Sequence, residues 1–325
     1  MKNNGILVIS NKWDAHADAV IRAIQKHNGH VVRINTEDFR QNELSFTLRN
    51  WCSDWHIKTP EGRIISRETI GGVYIRRMSM PIDVSDVDER FHDFSRQEST
   101  VFLDAIETLL EDVVWLNRPY CRKQASNKMR QLLLAQRVGL ATPHTLITNV
   151  ESDVKDFCVS GGDVVYKTLN CPMLRLEDGS QSMINTSIVP ESMDFSTVRT
   201  VPTFFQRYVS KAYELRIHII GDEIIPIKID SQHHPDARID WRVAQRDICY
   251  ERTLLPEDVS QKLLALMDGL KICFGIVDMI VTEGGEHVFL EVNPDGNWLW
   301  IEQTIHVPIS ESIALYFLNS VGENP

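Results

Sequence analysis

The chain has 325 residues, 43% hydrophobic and 24% charged, with a formal net charge of −11. That profile belongs to a globular protein of two or three lobes; the acidity speaks against a general nucleic-acid binder, and no stretch nears the eighteen uninterrupted apolar residues of a membrane span. Six scattered cysteines (Cys52, Cys121, Cys158, Cys171, Cys249 and Cys273) form no C-x-x-C pair, which argues against structural zinc and for free thiols in a reducing compartment.

The opening MKNNGILVIS lacks the basic start, apolar core and cleavage site of a secretory signal, so a cytoplasmic protein is expected. GILVIS (5–10) predicts a buried strand, and 16–28 an amphipathic helix with Ala19, Val20, Ala23, Ile24 and His27 at helical spacing. HVVRIN and GGVYIRR (71–77) predict further strands, a helix over 95–112 follows, and VVWLNRP closes the zone. This β-α-β alternation predicts an open α/β domain. SNKMRQLLLAQRVGL then reads as a helix with Met129, Leu132, Leu133 and Val138 on one face and Gly139 as its stop. ATPHTLITN is extended, GGDVVYKTL (161–169) is a strand ending in lysine, and 170–186 is a polar, glycine-bearing loop. From Pro202 onward TFFQRYV, ELRIHII, EIIPIKID, FGIVDMIVTE and EHVFLEVN alternate as strands around one helix, DVSQKLLALMDGLKICF. GDE and EGGE mark hairpins, so the zone predicts an antiparallel sheet with a helix packed on it.

The pattern richest in chemistry lies in this third zone. Glu291 and Asn293 are two apart on one strand and face together, and a hairpin brings Asp278 beside them. Two carboxylates and an amide oxygen are hard donors suited to magnesium shared with nucleotide phosphates. The bland alternative is a polar strand face at a sheet edge, although carboxylates on otherwise apolar strands are costly unless paired or metal-bound. Lys128 near a helix start and Lys167 at a strand end are each ordinary surface lysines when taken alone. Placed ahead of an acidic site they can neutralise phosphates. No G-x-x-x-x-G-K-[ST] occurs and no G-x-G-x-x-G follows the first strand, which excludes a P-loop and leaves a dinucleotide site unsupported. In FFQRYVSKAYELRIHII a strand breaks and resumes, a link that can offer backbone groups to an adenine edge. Glu214 can accept from ribose hydroxyls, and Arg216 can reach transferring phosphate oxygens.

In this order the pieces resemble the ATP-grasp superfamily over about residues 120–305. More closely, the chain is similar to the microviridin-type peptide maturases, the macrocyclases that make graspetides. The text that carries it is W-L-N-R-P, A-S-N-K-x-x-Q-L-L, T-L-I-T-N, Y-K-T-L, K-I-D-S-Q and D-W-R, with the V-Y-I-R-R-M strand in the N-terminal zone. The resemblance implies an α/β fold of the α+β ATP-grasp kind, with a pre-ATP-grasp domain over 1–118, a central lobe over 119–200 and a C-terminal lobe with the metal site over 201–325. It implies that Lys128 and Lys167 contact ATP phosphates, that Gln206, Arg207, Tyr208 and Val209 line the adenine pocket, and that Glu214 holds the ribose. Asp278, Glu291 and Asn293 would bind Mg2+, while Arg216 and Lys228 stabilise the phosphoryl group. Lys228 stands where the family often has arginine, a change that keeps charge but loses the bidentate fork. Asp240, Trp241 and Arg242 would belong to the site for the leader helix of a precursor peptide.

The implied reaction activates an Asp or Glu side chain of that peptide as an acyl phosphate, which a Ser or Thr hydroxyl or a Lys amine of the same peptide attacks. The loop 170–186 is expected to close over the nucleotide. Two alternatives stay open at this stage: an ATP-grasp ligase forming an ordinary amide on another substrate, and a non-catalytic, nucleotide-responsive peptide-binding module. Trp298 and Trp300 read as packing residues more than substrate contacts, and a homodimer is admitted but not required.

Overall fold

A computed structural model describes residues 5–50, 52–76, 81–170, 173–176, 178–190 and 192–322, apart from the side chains of Cys52 and Gln181. Arg77 and Met78 of the V-Y-I-R-R-M run, and Cys171, lie outside them. The fold is mixed α/β. It divides into two compact units, Met1–Arg122 with Ile272–Phe274 and Asp295–Pro325, and Lys123–Lys271 with Gly275–Pro294.

The first unit begins β1 (Gly5–Ser10), α1 (Ala15–Lys26), β2 (His30–Asn35). Asp14 caps α1, accepting from the backbone of His16 and Ala17. Next comes a small antiparallel sheet that hydrophobic patterning does not announce: β3 (Glu43–Arg49), β4 (Cys52–Lys58) and β5 (Ile64–Ile65). After β6 (Ile70–Ile75), α2 (His92–Leu109) and β7 (Val114–Leu116), the main sheet is complete, in order β2-β1-β6-β7 and wholly parallel. Leu7, Ile9, Val73 and Ile75 from one face of it share a core with Phe39, Trp55 and Ile57 and with Leu103 and Ile106 of α2.

α3 (Pro119–Ala125) leads into the second unit, which continues α4 (Lys128–Arg137), β8 (Thr145–Thr148), α5 (Glu151–Val159), β9 (Val164–Lys167), β10 (Met173–Arg175), β11 (Gln181–Met183), β12 (Ser187–Ile188) and β13 (Thr203–Arg207). Then follow β14 (Tyr213–Ile220), β15 (Glu223–Asp230), β16 (Cys249–Arg252), α6 (Glu257–Leu270), β17 (Phe274–Val281) and β18 (His287–Asn293). One sheet is ordered β12-β9-β13-β8 and the other β16-β15-β14-β17-β18. β13 pairs with β8 and β9, so the T-F-F-Q-R-Y-V strand joins the first of these sheets and not, as expected, the second. The polar run 170–186 contains the β10–β11 hairpin.

Helix α4 starts at Asn127, whose side chain accepts from the Arg130 N–H at 3.0 Å, and stops before Gly139, whose φ of 82° suits glycine. Its inward face differs from the expected one. Gln131, Leu132 and Ala135 are buried, while Met129 and Leu133 point to solvent. Apolar periodicity misled here because an amide, Gln131, occupies a core position.

The chain ends with α7 (Leu299–Ile305) and α8 (Ile309–Gly322). Residues 295–325 belong to the first unit, which divides the expected 201–325 lobe. The cause is packing. Trp298 is fully buried with its ring edge-on to His16 at 5.0 Å. Phe317 of α8 fills the space over Gly72 of β6, where a Cβ would come within 2.8 Å of its ring. Among the described residues no helix is long and apolar enough to cross a membrane, and Cys121, Cys158, Cys249 and Cys273 are free thiols.

Candidate active site

The β17–β18 hairpin sets Asp278 opposite Glu291 and Ile276 opposite Asn293. Its register shifts beside Asp278, and such a bulge re-aims side chains, letting Leu290 line the same cavity as Glu291. Asn293 Nδ2 lies 3.3 Å from Asp278 Oδ2 and 3.4 Å from Glu291 Oε1. From neighbouring β14, Arg216 Nη1 donates to both oxygens of Asp278, at 2.8 and 3.1 Å. From the first residue of α4, Lys128 Nζ sits 3.0 Å from Glu291 Oε2 and 2.8 Å from the Thr168 carbonyl.

One residue without an expected role holds this arrangement. Gln131, one turn after Lys128 on α4, turns its side-chain amide onto the backbone of Val292, the residue between Glu291 and Asn293. Nε2 donates to Val292 O at 2.8 Å and Ala125 O at 2.6 Å, and Oε1 accepts from Val292 N at 3.0 Å. Strand β18 is a sheet edge, and the amide serves as its missing neighbour.

The electrostatics follow from burial and pairing. Burial alone would raise the Glu291 carboxyl, but Lys128, Arg242 and Lys167 outweigh it and hold the group down at about 2. Burial raises Asp278; Arg216 works against that and Glu291 with it, and the net direction is upward. The Lys167 ammonium is lowered to about 8 by burial, with Glu291 opposing the shift. Buried Glu214 is raised by desolvation, opposed by Lys211, whose Nζ is 2.6 Å away, and by the Ser231 hydroxyl at 2.9 Å.

Around these groups the second unit has a cleft with two ends. One end, of about 450 Å3, is lined by Val165, Gln206, Arg207, Tyr208, Val209 and Ile280, with Lys167 and Glu214. The other, of about 1050 Å3, is lined by Lys128, Asp278, Glu291 and Asn293, with Lys167, Glu214 and Arg242 common to both. A slot with an apolar wall at Val165, Val209 and Ile280, beside a charged chamber, suits a nucleotide, base first and phosphates after. Gln206 is fixed by the Thr145 hydroxyl at 3.0 Å. The Arg207 guanidinium is tied to the end of α5, donating to Gly162 O at 2.6 Å, to Phe157 O and to the Ser160 hydroxyl, and it stacks over the Phe157 ring.

The structure places the D-W-R triplet at the chamber and Lys228 away from it. Lys228 is in register with Leu215, so it emerges on the face of the sheet opposite Glu214 and Arg216. There it pairs with Glu251 at 2.6 Å and lies over the Tyr213 ring. Asp240, Trp241 and Arg242 of the D-W-R triplet line the charged chamber. Trp241 is buried beneath the Arg216 guanidinium, 5.6 Å from its ring centroid. Asp240 holds Arg242 Nε at 2.9 Å and the Thr186 N–H at 3.1 Å, tying the end of the 170–186 segment to the chamber. Arg242 adds a further cation to the chamber. Lys211, also missed, stands three residues before Glu214, a spacing that a closer look at S-K-A-Y-E could have flagged.

Asp278, Glu291 and Asn293 can present hard oxygens to Mg2+, which typically takes one or two carboxylates and completes its shell with water and phosphate. The set fits on those terms, with the Asn293 amide turned to present Oδ1. Among the described residues no group of three or more His, Cys, Asp or Glu is arranged for a metal, so only a site with an amide and two carboxylates is on offer.

Residues 5–123 match the family of the MvdD pre-ATP-grasp domain. Over 97% of both chains, the protein is similar to the structure of a RiPP-associated ATP-grasp ligase from Chryseobacterium gregarium in complex with ADP and a leader and core peptide, with 29% identity and a TM-score of 0.88. The macrocyclase MdnC of Microcystis aeruginosa MRC, bound with precursor peptide MdnA, is 26% identical with a TM-score of 0.83, over 97% of this chain and 99% of that one. The macrocyclase MdnB of the same organism is 28% identical with a TM-score of 0.76, again over 97% and 99%. No curated protein matches in sequence. With a two-ended cleft in the second unit and a pre-ATP-grasp domain in the first, the chain is an ADP-forming ATP-grasp ligase that is similar over nearly its full length to RiPP-associated macrocyclases.

Proposed function

We propose that this ligase activates Asp or Glu side chains of a ribosomal precursor peptide as acyl phosphates and closes them into ω-ester or ω-amide rings. The observation that carries the reading is the interlocked set in one chamber: Lys128 on Glu291, Arg216 on Asp278, and Asn293 between the two acids. The peptide-bound relatives, alike over nearly the full chain, supply the substrate class.

In this scheme Gln206 to Val209 line the adenine slot and Glu214 accepts from the ribose. Lys128, Lys167 and Arg242 face the phosphates, and Arg216 faces the transferring group. Mg2+, held by Asp278, Glu291 and Asn293, supplies charge neutralisation at the phosphates when bound. A carboxylate oxygen of the peptide attacks the γ-phosphorus, the bond to the β-phosphate oxygen breaks, and ADP leaves. A hydroxyl or amine of the same peptide then attacks the acyl carbon, phosphate departs, and the nucleophile loses its proton. The side chains contribute position and a preorganised positive field. The 170–186 segment, anchored at Thr186, screens the acyl phosphate from water.

The test is peptide-dependent ADP release, with mass spectrometry of a precursor peptide encoded beside the gene, one water lost per ring. Glu291→Ala and Asn293→Ala are expected to lower both by at least about 100-fold, the size of effect seen when one transition-state-stabilising donor is removed, while circular dichroism is unchanged. Undiminished turnover in either variant would remove the basis for the metal site. ADP release without any water loss from the peptide would instead favour a ligase of different substrate.

A further inference from the structure

The proposed adenine slot holds one polar side chain whose orientation is set by a chain of hydrogen bonds. Gln206 of β13 lies across from Thr145 of β8 on one side and Val165 of β9 on the other, and directly opposed residues turn their side chains to the same face. Gln206 is 1% exposed and lines the slot with Pro143, Val165 and Val209. Its Nε2 donates to the Thr145 hydroxyl at 3.0 Å, and that hydroxyl donates in turn to the Pro143 carbonyl at 2.8 Å.

Chemistry decides the direction of this relay. A carbonyl oxygen can only accept, so the single hydroxyl proton of Thr145 goes to Pro143. The Thr145 oxygen can then only accept, and it selects the Nε2 end of the amide; a flipped Gln206 would set Oε1 against another oxygen. Among the described residues nothing pairs with Oε1, and a buried acceptor left without a partner is costly. What remains for a ligand is an acceptor beside one N–H. That pair matches the amino group and ring nitrogen of a 6-aminopurine, as glutamine reads adenine in nucleic acids. A 6-oxopurine puts a carbonyl where the amino group stood, and only the flipped amide could meet it.

We infer that Thr145 is a positioning residue that sets base selectivity: by locking Gln206 with Oε1 as the acceptor, it makes the site take 6-aminopurine nucleotides and refuse 6-oxopurine ones. The inference rests on the nucleotide reading of the slot. Thr145 does not itself line the slot, so its effect on the base passes through Gln206.

Titration calorimetry of the full chain with ADP and with inosine diphosphate, both with Mg2+ and without peptide, tests it. Inosine diphosphate differs from ADP in the carbonyl at position 6 and the proton this puts on N1. The wild type is expected to favour ADP by roughly 5- to 150-fold, the discrimination of one good bidentate contact. Thr145→Val keeps the shape of the side chain and removes the hydroxyl, so the amide turns freely. The preference for ADP is then expected to fall by at least about 5-fold, with inosine diphosphate bound more tightly than by the wild type. Thr145→Ser keeps the hydroxyl and is expected to keep the preference. The ratio of affinities is the readout, because damage to the fold lowers both together. A wild type that binds both nucleotides equally, or a Thr145→Val protein whose ratio matches the wild type's, would overturn the inference and leave the nucleotide site in place. A chain that binds neither would overturn the nucleotide reading itself, and this inference with it.

Discussion

Replacing Gln131 with methionine keeps the side chain's length and volume but removes every polar atom that meets strand β18. The amide carries three hydrogen bonds of 2.6–3.0 Å to backbone groups of Ala125 and Val292, and the residue is 2% exposed. Each buried group left without a partner costs roughly 1–3 kcal/mol. With two groups on Val292 and one on Ala125, the expected loss is about 3–5 kcal/mol after some relaxation of the strand edge. The functional consequence comes through position: Gln131 shares a helix face with Lys128 and grips the residue between Glu291 and Asn293. Urea denaturation should show the loss as a shifted midpoint with an unchanged slope. At temperatures where the variant is still folded, ADP release should show a raised KM for ATP as well as a lowered kcat. A variant destabilised by less than about 1 kcal/mol, with wild-type KM, would refute the claim that the amide fixes the phosphate side of the site.

Arg216→Met is expected to cost at least about 100-fold in turnover, whereas Lys228→Met, on the other face of the sheet, should stay within a few fold; equal losses would mean the register argument fails. His218 is buried and held neutral, its pKa lowered to about 3 by burial and by Arg216. The unfolded chain takes up a proton below pH 6.5 while the native chain does not. Stability present above pH 6.5 is therefore lost as pH falls toward 3, by about 2 kcal/mol between pH 7 and 5. Urea midpoints for His218→Leu should lack that share of the acid slope, and parallel slopes for variant and wild type would count against it.

Much of the architecture was legible because strands and helices carry their periods openly. The β1-α1-β2 start, the β14–β15 and β17–β18 hairpins and helix α6 sit where patterning predicts them. Parity alone brought Glu291 and Asn293 to one face. The same logic, carried one step further, would have put Lys228 on the sheet face opposite Glu214 and Arg216. Gly221, with φ of 58°, takes the first place of a two-residue turn, so Ile220 opposes Glu223, and counting back puts Leu215 opposite Lys228. What patterning could not supply was tertiary. Nothing local says that β13 leaves the strands that follow it to pair with β8 and β9. Nor does D-W-R announce that Trp241 turns beneath Arg216, because that placement depends on two short 3-10 turns at Pro235–Ala237 and Trp241–Ala244. The return of 295–325 to the first unit is likewise decided by Trp298 and Phe317 finding pockets far away in sequence. Gln131 was hidden for a different reason: a polar residue on a helix reads as solvent-facing unless its partners are known.

The charge arrangement of the chamber has a consequence for how metal and nucleotide bind. Lys128 is committed to Glu291 and Arg216 to Asp278, so two of the cations proposed to meet phosphate are each held by a carboxylate proposed to meet Mg2+. Nucleotide binding alone must draw Lys128 from Glu291 and leave a buried carboxylate uncompensated. Mg2+ binding alone must displace two cations into each other's field. Binding of both exchanges partners without leaving a charge unpaired, so each should strengthen the other by the same factor. A coupling of about 1–3 kcal/mol, roughly 5- to 150-fold, is the ordinary range. Calorimetric titration with a non-hydrolysable ATP analogue, with and without EDTA, measures it. The diagnostic variant is Glu291→Gln, which removes the carboxylate that competes for Lys128. Its affinity for the analogue in EDTA should exceed that of the wild type, and its response to Mg2+ should shrink, although turnover is lost. If Glu291→Gln instead weakened nucleotide binding in EDTA, the exchange of partners would be wrong and Lys128 would have to be placed in a structural pair.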